Sequence, residues 1–188
     1  AYDDWQGIVG QDIYRAAAAH CAAHVVATTA RIDAAHLSAL QQACIGLFED
    51  ARVEALAIRR FPRLRELWAQ FHTVEVTGRE AGVGDYLQRI ARALLDPAGA
   101  DADPLVVWAR EGFAGADLAS HVMSVELGLA LAGEFQKRRL PYSPYRDVPA
   151  VLYRDDNRYL WEFEEYSDEQ AIAAGLGQEQ QVRKYVSV

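Results

Sequence analysis

Four ionisable side chains, Glu49, Asp50, Arg52 and Glu54, fall within six residues in the middle of a strongly apolar stretch. That stretch runs from Asp33 to His72, DAAHLSALQQACIGLFEDARVEALAIRRFPRLRELWAQFH, and its periodicity predicts one long helix, broken at Pro62 and resumed. Asp33 is placed to act as N-cap, and small or apolar residues recur at Leu37, Leu40, Cys44, Leu47, Ala51, Ala55 and Ile58. Pro62 cannot donate and restricts Phe61, so the helix should stop there, with Arg59 and Arg60 beside its negative end. Leu64, Leu67, Trp68 and Phe71 make a second stripe beyond it. Helical geometry puts Glu54 on the face of Leu47, Ala51 and Ile58, and Arg52 on that of Ile45, Phe48 and Leu56. Charges on apolar faces must be buried in part, and a buried charge is costly unless it is paired. The segment therefore predicts an interhelical ion-pair and hydrogen-bond network.

The rest of the chain supplies partners. A helix is expected over about Gln11–Thr29, with Ile13, Ala17, His20, His24 and Ala27 along one side and alanines that let another helix approach. A polar break at Thr77–Gly84 precedes a third amphipathic helix over Asp85–Leu95. DPAGADADP reads as a loop, Leu105–Glu111 as a short helical turn, and Ala116–Arg138 as a second central helix in which Gly128 and Ala132 leave room for a neighbour's backbone. Three prolines in Leu140–Pro149 rule out helix there, and AVLYRDDNRYLWEF reads as a β-hairpin turning at Asp155, Asp156 and Asn157. The fold class expected is mainly α: a multi-helix bundle over residues 1–163 with a small C-terminal hairpin at about 150–163, then an acidic, Gln-rich flexible tail or linker over 164–188.

Composition narrows the partners. A net charge of −8, with basic residues interspersed among acidic ones, gives no electrostatic footprint for nucleic acid or an anionic membrane. No apolar run reaches the ~20 residues of a membrane span, and two cysteines in alanine-rich stretches fit buried thiols in a reducing, cytoplasmic setting. The chain starts without Met, as a piece of a longer protein would.

His20 and His24, in HCAAH, stand four apart on one helical face, the spacing of the zinc-peptidase motif HExxH, and Glu49 on the next helix is placed to be a third ligand. Cys21 occupies the position of the catalytic glutamate, so proton transfer to a metal-bound water has no agent. The economical reading makes His20 and His24 core histidines bonded to Glu49, Asp50 or Glu54, with no metal; a degenerate zinc-peptidase-like domain holding zinc through His20, His24 and Glu49 is the alternative of another class. Glu126 and His121 are further candidates for the network, Glu126 as a partner of Arg52. Arg59, Arg60, Arg63 and Arg65, with Trp68, form a candidate partner surface, although dipole compensation also accounts for arginines at a helix end. Phosphate-loop, dinucleotide, GxSxG, CxxC and Ca²⁺-loop signatures are absent, so no catalytic residue is assigned.

The segment FEDARVEALAIRRFPRLRELW resembles the N-terminal helical region of the CbbO and NorD family, whose members carry an EDARVE…FPGL…LW segment. YRAAAAHCAAH is similar to the helix before it, and PYRDVPAVLYRDDNRYLWEF to the region after it, so the resemblance covers most of residues 10–165. It implies a non-enzymatic adaptor that works with a MoxR-type AAA+ ATPase hexamer, where ATP and Mg²⁺ would bind in the partner. The CbbO-like branch, favoured here, implies activation of Rubisco by release of inhibitory sugar phosphates; the NorD-like branch implies maturation of nitric oxide reductase. Two departures stand out: these 188 residues stop short of the C-terminal von Willebrand A domain that the resemblance implies and hold no DxSxS metal signature, and Arg63 stands where the family often has Gly.

Overall fold

The computed structural model describes residues 4, 7–72, 82–99, 101–148 and 151–163. The acidic tail at 164–188, Trp5 and most of the expected polar break lie outside the described residues. Within them the chain is mainly helical: α1 (Gly10–Ala27), α2 (Ala39–Arg60), α3 (Leu64–Ala69), α4 (Val83–Leu95), α5 (Pro104–Ala114), α6 (Val122–Lys137) and the single turn α7 (Pro144–Asp147), which forms against expectation because Pro144 sits in its first turn, where no N–H is needed. None of these helices is long and apolar enough to cross a membrane.

Helix α2 is the axis of the molecule. Its start lies later than Asp33, because Ser38 closes a capping box: Ser38 Oγ accepts from the Gln41 N–H at 3.3 Å and Gln41 Oε1 from the Ser38 N–H at 2.8 Å. Asp33 instead lies in the strand β1 (Ile32–Asp33), its carboxylate taken by the Ala35 N–H. From Cys44 to Glu54 every residue of α2 is buried, because α6 covers one side, α1 another and α4 a third. The contact with α6 is close. A Cβ on Gly128 would stand 2.5 Å from Ile45 Cα, so only a glycine lets the two backbones meet.

Helix α6 begins at Val122 and not at Ala116. Asp117 and Ser120 take the N–H groups of Ala119 and Val122 in side-chain turns, and the Leu118 carbonyl is drawn to Arg52, so this stretch has its own hydrogen-bond partners. The small β element also differs in form from the expected hairpin. Strand β2 (Trp161–Glu162) pairs in parallel with β1, Ile32 opposite Trp161 and Asp33 opposite Glu162. Asn157 does turn the chain, in the left-handed region at φ 56°, but a 3₁₀ turn at Arg158–Leu160 follows, and residues 151–154 form a turn, Arg154 N–H on the Val151 carbonyl, in place of a strand. The segment 151–163 is thus a strap laid across α1 and α2 and held by its side chains: Tyr153, Arg154 and Asn157 are all buried.

Candidate functional site

The charged segment of α2 is buried as a whole: Glu49, Asp50, Arg52 and Glu54 are each at most 4% exposed. Three groupings share the space. In the first, Arg52 forks onto Glu49, Nε to Oε2 at 2.8 Å and Nη2 to Oε1 at 2.6 Å. The hydroxyls of Ser124 from α6 and Thr28 after α1 donate to the same carboxylate, at 2.8 and 3.0 Å. The remaining Arg52 donors reach the carbonyls of Leu118 and Ala27, tying the end of α1 to the approach to α6. Burial alone would raise the Glu49 carboxyl, but the hydrogen bonds and charge of Arg52, with those two hydroxyls, outweigh it and hold the group below its ordinary value.

In the second, Arg154 of the strap forks onto Glu54, Nε to Oε1 at 2.9 Å and Nη2 to Oε2 at 2.6 Å. Tyr153 donates its hydroxyl to Glu54 Oε1 at 2.9 Å, and His72 Nε2 lies 3.2 Å from that hydroxyl. The Tyr153 proton is spent on a carboxylate that only accepts, so His72 is the donor and its ring is the neutral Nε2–H tautomer. Burial and then the Arg154 charge push His72 down to about 3. For Glu54 burial again raises and the charge and bonds of Arg154 lower; the balance lies well below the carboxylate range. Trp68 stacks on Tyr153 with ring centroids 6.0 Å apart and closes this end.

The third grouping joins the histidines to Asp50. His24 Nε2 is 3.3 Å and His20 Nε2 3.8 Å from Asp50 Oδ1, which also accepts from Asn157 Nδ2 at 2.8 Å. Arg154 Nε stands 3.7 Å from the other Asp50 oxygen. The six residues singled out by sequence for a charged network, Glu49, Asp50, Arg52, Glu54, His20 and His24, are therefore in one contiguous cluster. Glu49, the expected third zinc ligand, faces Arg52, Ser124 and Thr28; the carboxylate beside both imidazoles belongs to Asp50.

Other assignments need correction. Glu126 is exposed on α6 and does not meet Arg52, which takes its carboxylate from its own helix three residues earlier; from α6 it is Ser124 that enters the cluster. His121 is half-buried at the start of α6. Trp68 is not surface: it is fully buried and donates Nε1–H to the Ala16 carbonyl at 3.1 Å. Arg154, Tyr153 and Asn157 were not expected in the network. A charge count points to Arg154: three carboxylates and one arginine in buried α2 require another buried cation, and Arg154 follows the apolar run AVLY.

The arginines Arg59, Arg60, Arg63 and Arg65 are all exposed where α2 ends and α3 begins, and Arg65 also donates to the Leu95 carbonyl. Beside them lies an apolar groove of about 1000 Å³ between the C-terminal halves of α1 and α2 and the start of α3. Ala23, Val26, Leu56, Phe61 and Leu64 are among its lining, and Arg60 and Arg63 stand at one end. Val26 and Phe61 are 79% and 58% exposed. Compared with protein-family models, with curated proteins and with solved structures, the chain matches none.

Proposed function

We propose that this chain is a non-catalytic adaptor domain of the CbbO kind, which docks a MoxR-type AAA+ ATPase and couples its ATP-driven work to a client enzyme, Rubisco carrying an inhibitory sugar phosphate. The NorD-like alternative shares the motor and differs in the client. In this reading the chain works in the cytoplasm, hydrolyses no ATP itself, and leaves ATP and Mg²⁺ to its partner. The observation that supports it is the groove between α1, α2 and α3, an apolar trough with a basic end on a chain of net charge −8. Such a trough suits an amphipathic helix with an acidic flank, whose apolar side covers Val26, Leu56 and Leu64 while its carboxylates meet Arg60 and Arg63. The buried network supplies the other requirement of an adaptor, a floor that keeps its shape under load: its arginines lock α1, α2, the approach to α6 and the strap together.

The test is retention of the ATPase hexamer, in ATP, by the immobilised chain, followed by its ATPase rate and by recovery of inhibited Rubisco. Retention with a changed rate is expected, weakened about tenfold or more by Arg60→Glu with Arg63→Glu. A folded chain that neither retains the hexamer nor alters its rate overturns the adaptor reading. Retention without recovery of Rubisco moves the client assignment to the NorD-like alternative.

A further inference from the structure

The third grouping is not explained by the adaptor role. His20 is fully buried, yet neither ring nitrogen makes a hydrogen bond with the described residues: Nδ1 lies 3.1 Å from Glu54 Oε1 but off the line a bond requires, and Nε2 has no partner. The tautomer of His24 follows from its neighbours. Thr28 Oγ1 spends its only proton on Glu49, so at 3.0 Å it must accept from His24 Nδ1–H. That leaves the lone pair of a neutral His24 Nε2 3.3 Å from a carboxylate oxygen, two buried acceptors facing each other. His20 presents a second nitrogen to the same oxygen at 3.8 Å. Charge is short by one as well among the described residues: Glu49 is matched by Arg52 and Glu54 by Arg154, which leaves Asp50, apart from the two imidazoles, with a shared, more distant approach from Arg154.

A proton on His24 would supply the missing charge but would leave His20 Nε2 orphaned. One cation between all three atoms satisfies both histidines and Asp50. We propose that His20, His24 and Asp50 form a site for a divalent transition metal, zinc being the closest match, with Nε2 of each ring and Oδ1 of Asp50 as ligands. One nitrogen from each ring and the Asp50 oxygen lie within 4.8 Å of one another. Tetrahedral ligands at about 2.0–2.1 Å from zinc stand roughly 3.3–3.4 Å apart, so the His24–Asp50 separation already fits, and the His20 ring would have to move inward, from 3.8 Å to Asp50 and from within 4.8 Å of the His24 nitrogen. Two imidazoles and one carboxylate suit zinc better than Ca²⁺ or Mg²⁺, which take oxygen shells. The supporting contacts are those that orient metal-bound groups elsewhere: Thr28 on His24 Nδ1, Glu54 beside His20 Nδ1, and Asn157 on the Asp50 oxygen. A cavity of about 510 Å³ lined by Cys21, His24, Thr28, Asp155 and Tyr159 reaches the buried His24 ring and would give the ion a path. The metal would join α1 to α2 beneath the strap.

The experiment takes the whole chain, stripped with chelator and checked for its fold by circular dichroism, and titrates it with Zn²⁺ and with Co²⁺. About one equivalent should bind, Zn²⁺ should raise the melting temperature, and Co²⁺ should give the strong visible bands of a four-coordinate site. Paramagnetically shifted imidazole signals from two histidines should appear in the unmutated protein, so the ligand claim does not depend on a variant folding. His24→Gln and Asp50→Asn should each abolish the bands. A folded chain that takes up no Co²⁺ overturns the site, and bands that survive Asp50→Asn but vanish with Glu49→Gln overturn the ligand set.

Discussion

Replacing Arg154 with Met keeps much of the side chain's volume and removes its charge and both of its bonds to Glu54. Glu54 is then a carboxylate 1% exposed, left with the Tyr153 hydroxyl and an unaligned His20. Breaking one side of a buried pair typically costs about 3–5 kcal/mol, most of it the penalty of the stranded partner. For a domain of this size that corresponds to a drop of roughly 6–20 °C in melting temperature. The strap should loosen too, since Arg154 is its main ionic anchor. Urea unfolding at pH 7 and pH 4 measures the loss. Arg154 holds the Glu54 carboxyl below its ordinary value, so the pair's contribution is full above the unfolded carboxyl's pKa and fades as pH falls through that of the folded state. In the variant Glu54 takes up a proton more readily, so the deficit against the parent should shrink at pH 4. Adding Glu54→Gln should restore part of the stability, with a coupling of about 2 kcal/mol or more. A loss below about 1 kcal/mol, or strict additivity in the double variant, would refute the buried-pair argument.

Two other outcomes follow from single contacts. Gly128→Ala places a methyl against the Ile45 backbone, where no rotamer can yield, and should destabilise the chain by about 2–3 kcal/mol in the same urea assay, whereas Gly133→Ala, with open space around it, should not. His72 is neutral when folded, at about 3, and takes a proton near its ordinary value when unfolded, so stability should fall as pH drops below about 6.5; at pH 5 its share is roughly 2 kcal/mol. His72→Gln, which keeps a donor for Tyr153, should flatten the stability profile between pH 6.5 and 5, as read by urea midpoints across that range.

The helices were legible because each buries one stripe, and α2 announced its burial through apolar residues on every side of four charges. The close approach at Gly128 was legible too, since a glycine inside an apolar helix needs a packing reason. The strap was not. RDDN carries every turn signal, and local propensity favours a hairpin there; what decided otherwise was a long-range demand, the need of Glu54 and Asp50 for buried donors, met by Arg154 and Asn157 about a hundred residues away. Position of the N-cap turned on Ser38 and Gln41, an S-x-x-Q box visible in the sequence but overshadowed by the acidic residue upstream. Glu49 and Asp50 are adjacent, so helical phase alone could not tell which faces the imidazoles. Only the placement of α1 over α2 does, because it puts Thr28 between His24 and Glu49.

The most direct test of the adaptor claim is hydrogen exchange of the whole chain, alone and with the MoxR-type ATPase in ATP. Slowed exchange is expected, confined to the groove, at the C-terminal half of α1 and from Val53 through Leu67. The central run of α2 should be slow in both states. Protection that falls instead on α5 or α6, or none at all under conditions where the hexamer is assembled, would contradict it.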